Sequence, residues 1–215
     1  MKRISRALLL ALPIALAACG QAASDKTATA TPAKDVSAKV AAVKASMSEI
    51  PTVQAPNLAA ARKYATGFDV GTPGSARQVI VFFDPQCGHC GRFWEETKKL
   101  AKDAQFTWVP VGILNRTSIN QGAAILSSKN PAETMALHET KLLGPGGGMD
   151  AAAADPEFMA IIQRNTRLME SFGAVGVPFI VSVNAETGKV FAESRGMSAE
   201  KLASSLGWNL ASAQK

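Results

Sequence analysis

The apolar run Gln78-Val79-Ile80-Val81-Phe82-Phe83 stops just short of Cys87-Gly88-His89-Cys90. No other feature restricts the fold of this chain as much. A near-continuous apolar run reads as a strand buried on both faces rather than one that alternates between core and water. Such a strand needs helices on either side, so the chain reads as α/β. The 47% apolar and 19% charged content is enough to build a core. That excludes collagen-like, low-complexity and wholly disordered chains. Three cysteines among 215 residues cannot be a disulfide scaffold.

Directly after a buried strand, the Cys87–Cys90 segment falls at a helix start. Two intervening residues there bring both sulfurs within bonding reach. Cys87 lies near the helix N-terminus, where unpaired N–H groups and the positive dipole end stabilise an anion. Motifs of this kind lower the first cysteine from ~8.5 to roughly 3.5–7. The thiolate is the form that attacks a disulfide. Cys90, one turn into the helix, is expected to be the more buried and to resolve the mixed disulfide. His89 sits between them and is expected to stabilise the thiolate, which makes the disulfide more oxidising; the alternative is a solvated loop residue.

Other uses of the motif fit less well. A c-type haem needs His after the second cysteine, and Gly91 stands there. A structural zinc needs four ligands, and beyond the pair only His89 and His138 are candidates. A structural disulfide would close too short a loop to constrain the unfolded chain. Met149 or His138 could join the cysteines in a metal-chaperone site, but His138 falls in an expected helix and reads as a surface or packing residue. No metal site is expected.

Gly176-Val177-Pro178-Phe179-Ile180 is the second informative element. Proline at the head of an apolar strand removes a ladder donor. By spacing alone Pro178 is an ordinary trans edge proline. In a fold that faces it toward the cysteines, a cis peptide there would expose the Val177 backbone to an incoming extended chain.

The chain opens with a secretory leader, residues 1–18. Lys2, Arg3 and Arg6 form its positive region, and Ala7 to Ala18 its apolar region. That region is too short to span ~30 Å of hydrocarbon, and no later stretch reaches ~20 apolar residues. Loss of these three cations takes the formal charge from +6 to +3, which argues against nucleic acid as a partner. Leu16-Ala17-Ala18-Cys19 resembles a bacterial lipobox, implying cleavage before Cys19 and lipidation there; the alternative is an ordinary signal peptide that leaves Cys19 a loose thiol. Gly20, rather than Asp, follows the cysteine, which suggests an outer-membrane anchor facing the periplasm. Periplasmic cysteines meet oxidants.

Residues 19–57 read as a flexible tether followed by a short helix, whose stripe is Val36, Val40, Val43, Met47 and Ile50. The helix is expected to pack on its own domain; a dimerising or docking helix is the alternative. Residues 58–215 read as the α/β domain. A short helix near Leu58 to Tyr64 lies in a connector that reaches Gly74. After the first strand come a helix from about Gly88 to Ala104, a strand over Phe106 to Ile113, and a helical insertion at about 114–173 broken at Gly144-Pro145-Gly146-Gly147-Gly148. A hairpin, Pro178 to Val183 and Lys189 to Glu193, and a last helix capped by Ser198 complete it.

These motifs resemble the thioredoxin-fold thiol–disulfide proteins of the bacterial periplasm, and most of all the catalytic domain of the DsbC/DsbG family. The matching residues are Val79 to Phe83 leading into Asp84-Pro85-Gln86-Cys87-Gly88-His89-Cys90 and Phe93-Trp94. On the DsbG side of that family lie Ala123 to Ala132 and Leu168-Met169 through Phe172-Gly173-Ala174 to Val177-Pro178. The resemblance covers roughly Tyr64 to Trp208. It implies a thioredoxin-like fold and a protein-disulfide reductase or isomerase that attacks through Cys87, resolves through Cys90 and has Pro178 as cis-proline. Repair of sulfenylated cysteines uses the same thiolate. No diffusible cofactor is implied; the expected partners are protein cysteines and a membrane redox protein of DsbD or DsbB type. Three departures matter. Too little chain precedes the domain for the family's dimerisation module, so a monomer is expected. Val177 replaces the usual Thr, as in DsbA-like dithiol oxidases. The Gly88-His89 dipeptide is that of protein disulfide isomerase, and these last two lean toward a more oxidising protein. Val81 stands where thioredoxin has a buried carboxylate, so protons on Cys90 need another group or water. A chaperone or binding module with incidental cysteines is the non-catalytic alternative.

Overall fold

In the computed structural model, which describes residues 45, 49–50, 55–151 and 154–209, the apolar run is the middle strand of a five-stranded sheet. The leader, Cys19 and most of the tether lie outside the described residues. Of the 36–50 stripe only Ile50 is among the described residues, and it packs against one face of the sheet; Ala45, in the same segment, is helical.

The elements run α1 (Leu58–Tyr64), β1 (Phe68–Gly71), β2 (Gln78–Phe83), α2 (Gly88–Lys98), β3 (Gln105–Pro110), α3 (Arg116–Ser127), α4 (Pro131–Leu143), α5 (Pro156–Ser171), β4 (Phe179–Val183), β5 (Val190–Glu193) and α6 (Ala199–Ser205). The strand order is β1-β3-β2-β4-β5. β2 pairs with β3 in parallel, and the remaining pairs are antiparallel. This is a thioredoxin-like α/β fold with three helices inserted between β3 and β4.

The period of two along β2 splits the core. Val79, Val81 and Phe83 face a layer containing Phe93, Trp94, Trp108, Ile125, Met135 and Leu202. Ile80 and Phe82 face Ala61, Val109, Leu168, Phe172 and Phe179. Trp94 of α2 meets Trp108 of β3 edge to face at 5.0 Å between ring centroids, and Trp108 meets Phe83 at 5.5 Å. These contacts fix α2 on the sheet, with its N-terminus at the end of β2. Within the insertion, α3 packs on α5, and α4 lies against α2.

Three boundaries differ from the sequence reading. The helix after Cys87 ends at Lys98 rather than Ala104. Amides 99 to 101 bond three residues back instead of four, a tightened end at which the helix unwinds. β3 stops at Pro110 rather than Ile113. Val111 still donates to the carbonyl of Phe83, but Gly112 turns to Thr166 Oγ1, and Ile113 and Leu114 turn to Asp84. Their amides leave the ladder for side chains. β1 lies in the stretch read as a connector. Its four residues pair with β3, and Asp69 accepts from Thr107 Oγ1 at 2.6 Å and Gln105 Nε2 at 2.8 Å across the strands.

Candidate active site

Cys87 is the N-cap of α2. Its carbonyl accepts from the amides of Cys90 and Gly91, and its own amide donates to the carbonyl of Asp84 at 2.9 Å. A side chain at that position lies beside amides that have no partner within the helix. The Cys87 sulfur makes no capping bond to these amides, but the Cys90 thiol and the backbone amides of Cys90 and His89 favour its anion. Against burial and the charge of Asp84, these donors lower Cys87 from 9.0 to about 7, the Cys90 thiol contributing most. Cys90 moves the other way. Burial first, then the hydrogen bond and charge of Cys87, push it well above 9.0. Cys87 keeps 7% exposure and Cys90 none. Both are reduced.

The structure brings Val177 and Pro178 to this pair. The Val177–Pro178 peptide is cis, and the Val177 carbonyl oxygen lies 3.6 Å from Cys87 Sγ. Pairing of β4 with β2 begins only at Phe179, so Val177 stands outside the ladder, next to the more accessible sulfur. His89 is placed differently from expectation. Its ring is exposed and accepts a 3.0 Å hydrogen bond from Arg92 Nη2, and it is the backbone amide of His89 that acts on Cys87. A shallow cavity of about 220 Å³, lined by His89, Phe93, Gly196 and Met197 among others, opens beside it.

Three polar residues that the sequence reading did not assign to the site are packed around it. Asp84 is fully buried. Its Oδ1 accepts from the Gln86 amide at 2.8 Å, and its Oδ2 accepts from Ile113 and Leu114 at 2.8 and 2.9 Å. It ties the loop before Cys87 to the chain after β3. His138, also fully buried, donates from Nε2 to the Pro85 carbonyl at 2.6 Å and accepts at Nδ1 from the Met149 amide at 3.2 Å. Burial lowers its pKa, which keeps the ring neutral with the proton on Nε2. Both nitrogens are engaged, so neither offers a lone pair to a metal shared with the cysteines. Gly148, at φ +93°, lets the backbone approach this ring: a Cβ there would lie 2.5 Å from it. Among the described residues, no group of three or more His, Cys, Asp or Glu is placed to hold a metal.

The third residue is Glu139, whose carboxylate is fully buried and has no hydrogen-bond partner. It rises from 4.5 to about 8, chiefly through burial and then through the charge of Cys87. A sequence signal for it exists. Met135, His138 and Glu139 follow at i, i+3 and i+4, so the carboxylate lies on the inward stripe of α4.

No family model matches the chain. It is 33% identical over 140 residues to the thiol:disulfide interchange protein DsbG of Pseudomonas aeruginosa, a match covering 64% of this chain and 54% of that protein. It is 32% identical over 113 residues to the Escherichia coli protein of the same name, covering 50% and 44%. The chain thus spans about half the length of the curated relatives it matches. Among solved structures, Proteus mirabilis ScsC in a compact conformation superposes with a TM-score of 0.58 at 16% identity, covering 85% of this chain and 93% of that one. The structural likeness shows the thioredoxin-like fold, and the sequence likeness is to DsbC/DsbG-like thiol:disulfide interchange proteins.

Proposed function

We propose that this thioredoxin-fold chain is a thiol:disulfide oxidoreductase that exchanges disulfides with the cysteines of other proteins, in the reductase or isomerase direction. The observation that carries the reading is the Cys87 sulfur. It sits at the N-cap of α2, is lowered to about 7 and lies beside the Val177 carbonyl.

The Cys87 thiolate attacks one sulfur of a substrate disulfide, and the electron pair of the broken bond leaves on the other substrate sulfur. Cys90, once deprotonated, attacks Cys87, closing the Cys87–Cys90 disulfide and releasing the substrate as a dithiol. The sulfur pair is itself the redox centre, with no diffusible cofactor. An extended substrate segment fits alongside Val177, where backbone groups outside the ladder can pair with it.

The degree of thiolate stabilisation favours this direction. A sulfur held near 7 resembles thioredoxin in poise, whereas strongly oxidising members of the superfamily hold theirs near ~3.5. That weighs more than the oxidising lean of Val177 and the Gly88-His89 dipeptide. A sulfenylated cysteine would meet the same nucleophile. The setting we infer is the periplasm, where the lipobox-like Leu16-Ala17-Ala18-Cys19 supplies an outer-membrane anchor, the chain acts as a monomer, and a membrane protein of DsbD type restores the dithiol. Among the described residues no helix is long and apolar enough to cross a membrane.

Insulin-disulfide reduction tests the assignment. Cys87→Ser should abolish it and Cys90→Ser should trap mixed disulfides. Reduction that persists in Cys87→Ser overturns the reading. Alkylation trapping in cells tests direction, since a mainly oxidised pair would mean dithiol oxidase work.

A further inference from the structure

We propose that Glu139, carried by the inserted helix α4, is the proton relay for Cys90. It takes the Cys90 proton during resolution of the mixed disulfide and returns it in the reverse reaction. The proposal rests on the exchange reading above and extends it to the step that reading leaves without a base.

Cys90 has no exposure and cannot pass its proton straight to water. Val81 occupies the strand position from which a carboxylate could otherwise serve, and it too is fully buried. Glu139 enters from the opposite direction. α4 packs on α2, and the Glu139 carboxylate lies against Gly91, the residue after Cys90, in space that any side chain at position 91 would fill. Both carboxylate oxygens are buried and unpartnered. An orphaned carboxylate costs stability, and its place against Gly91, the residue after the resolving cysteine, gives that cost a purpose.

The charged neighbours make it responsive to the redox state. Cys87 and Glu95 raise Glu139, Lys98 lowers it, and Glu139 in turn raises Cys90. Asp84 faces the two sulfurs from the loop before α2. His138 on the same helix is held neutral. Of the other elements against α4, β1 has only Asp69, whose oxygens are engaged by Thr107 and Gln105, and α3 has only Arg116, exposed in its first turn. With Cys87 a thiolate, the negative charge beside it keeps Glu139 protonated near neutral pH. Once Cys87 enters a mixed disulfide that charge is gone, and Glu139 ionises more readily when a base is needed. The proton then moves from Cys90 Sγ to the Glu139 carboxylate. The Cys90 thiolate forms the bond to Cys87, the Cys87–substrate bond breaks, and the substrate thiolate carries off the electron pair. Reduction of the Cys87–Cys90 disulfide in the reverse reaction returns the proton to Cys90, which resets the carboxylate.

The test is stopped-flow resolution of a mixed disulfide between Cys87 and a chromogenic aromatic thiol, formed and held at acid pH, where Cys90 stays a thiol, and released by a jump to each test pH. In the wild-type chain the rate should rise through one ionisation below about 8 and then level. Glu139→Gln should slow resolution about a hundredfold, the scale of a lost general base, and its rate should keep climbing into the range of Cys90 itself. Glu139→Asp should recover part of the rate. A wild-type profile with no plateau below the Cys90 range overturns the proposal without any variant, and so does a Glu139→Gln profile that superimposes on wild type. If Cys87 forms no mixed disulfide in the Cys90→Ser chain, the exchange reading itself has failed.

Discussion

The thiol of Cys90 is hydrogen-bonded to the sulfur of Cys87, and that one bond acts in opposite senses on its two ends. It stabilises the Cys87 anion, since a donor to a charged acceptor favours the charged form. It also holds the proton on Cys90. The attacking and resolving sulfurs are thereby separated in acidity although three positions apart in one helical turn. Alkylation of Cys87 by iodoacetamide should follow a midpoint near 7. Cys90→Ala removes the largest stabilising contribution and should move that midpoint up by on the order of one unit. An unchanged midpoint would mean that the helix amides alone set the acidity.

The ionisable groups of the site give the reduced protein an unusual stability profile. Glu139 is raised from 4.5 to about 8, so the folded state holds a proton that the unfolded state releases; this contribution is complete below 4.5 and is lost as pH rises through 8. Cys87 is depressed from 9.0 to about 7, so its contribution is complete above 9.0 and lost as pH falls through 7. On these two groups stability should fall between pH 4.5 and 7, level between 7 and 8 where they oppose, and recover toward 9; His138, lowered from 6.5 by burial, offsets part of the fall below 6.5. The Glu139 share of the falling limb amounts to roughly 3 kcal/mol at about 1.4 kcal/mol per unit. Urea unfolding at a series of pH values measures it, and Glu139→Gln should flatten the limb below 7.

The strand and the sulfur pair were legible because each is written in contiguous residues: an apolar run and a fixed spacing survive without knowledge of packing. Pro178 was not, since spacing alone makes it an ordinary trans proline and its cis place beside Cys87 depends on the fold. β1 was not legible, because four residues ending in glycine are too short for alternation to stand out. The roles of Asp84, His138 and Glu139 were hidden for a different reason. Each follows from an approach between segments far apart in sequence: Asp84 reaches the amides of Ile113 and Leu114, His138 reaches Pro85, and Glu139 reaches Gly91. His89 shows the converse. Its place inside the motif suggested an electrostatic task for the ring, yet the ring is turned out to Arg92 and it is the backbone amide that favours the Cys87 thiolate.

Gly91 is the counterpart of Glu139. A Cβ at this position would fall on the Glu139 carboxylate and within 3.3 Å of Leu143, so alanine must displace one of them. Gly91→Ala should destabilise the chain by about 1–3 kcal/mol, the usual range for overpacking. Part of that loss should vanish in the Gly91→Ala/Glu139→Ala double variant, where the obstructing carboxylate is gone. A double-mutant cycle by thermal or urea unfolding reads the coupling; strictly additive losses would show that Leu143, not Glu139, is the neighbour that matters.

His138 holds the loop before Cys87 without touching either sulfur. Its two ring nitrogens satisfy the Pro85 carbonyl and the Met149 amide. His138→Phe keeps the ring's bulk but strands both groups in a buried site, at about 1–3 kcal/mol for each. The expected loss is thus about 2–6 kcal/mol in urea unfolding. The reactive sulfur tells a different story, because neither the His138 ring nor its partners are among the groups that lower Cys87. The folded variant should accordingly retain an alkylation midpoint near 7. A midpoint displaced toward the ordinary thiol range would mean that the clamp on Pro85 also sets the orientation of the α2 amides toward the sulfur.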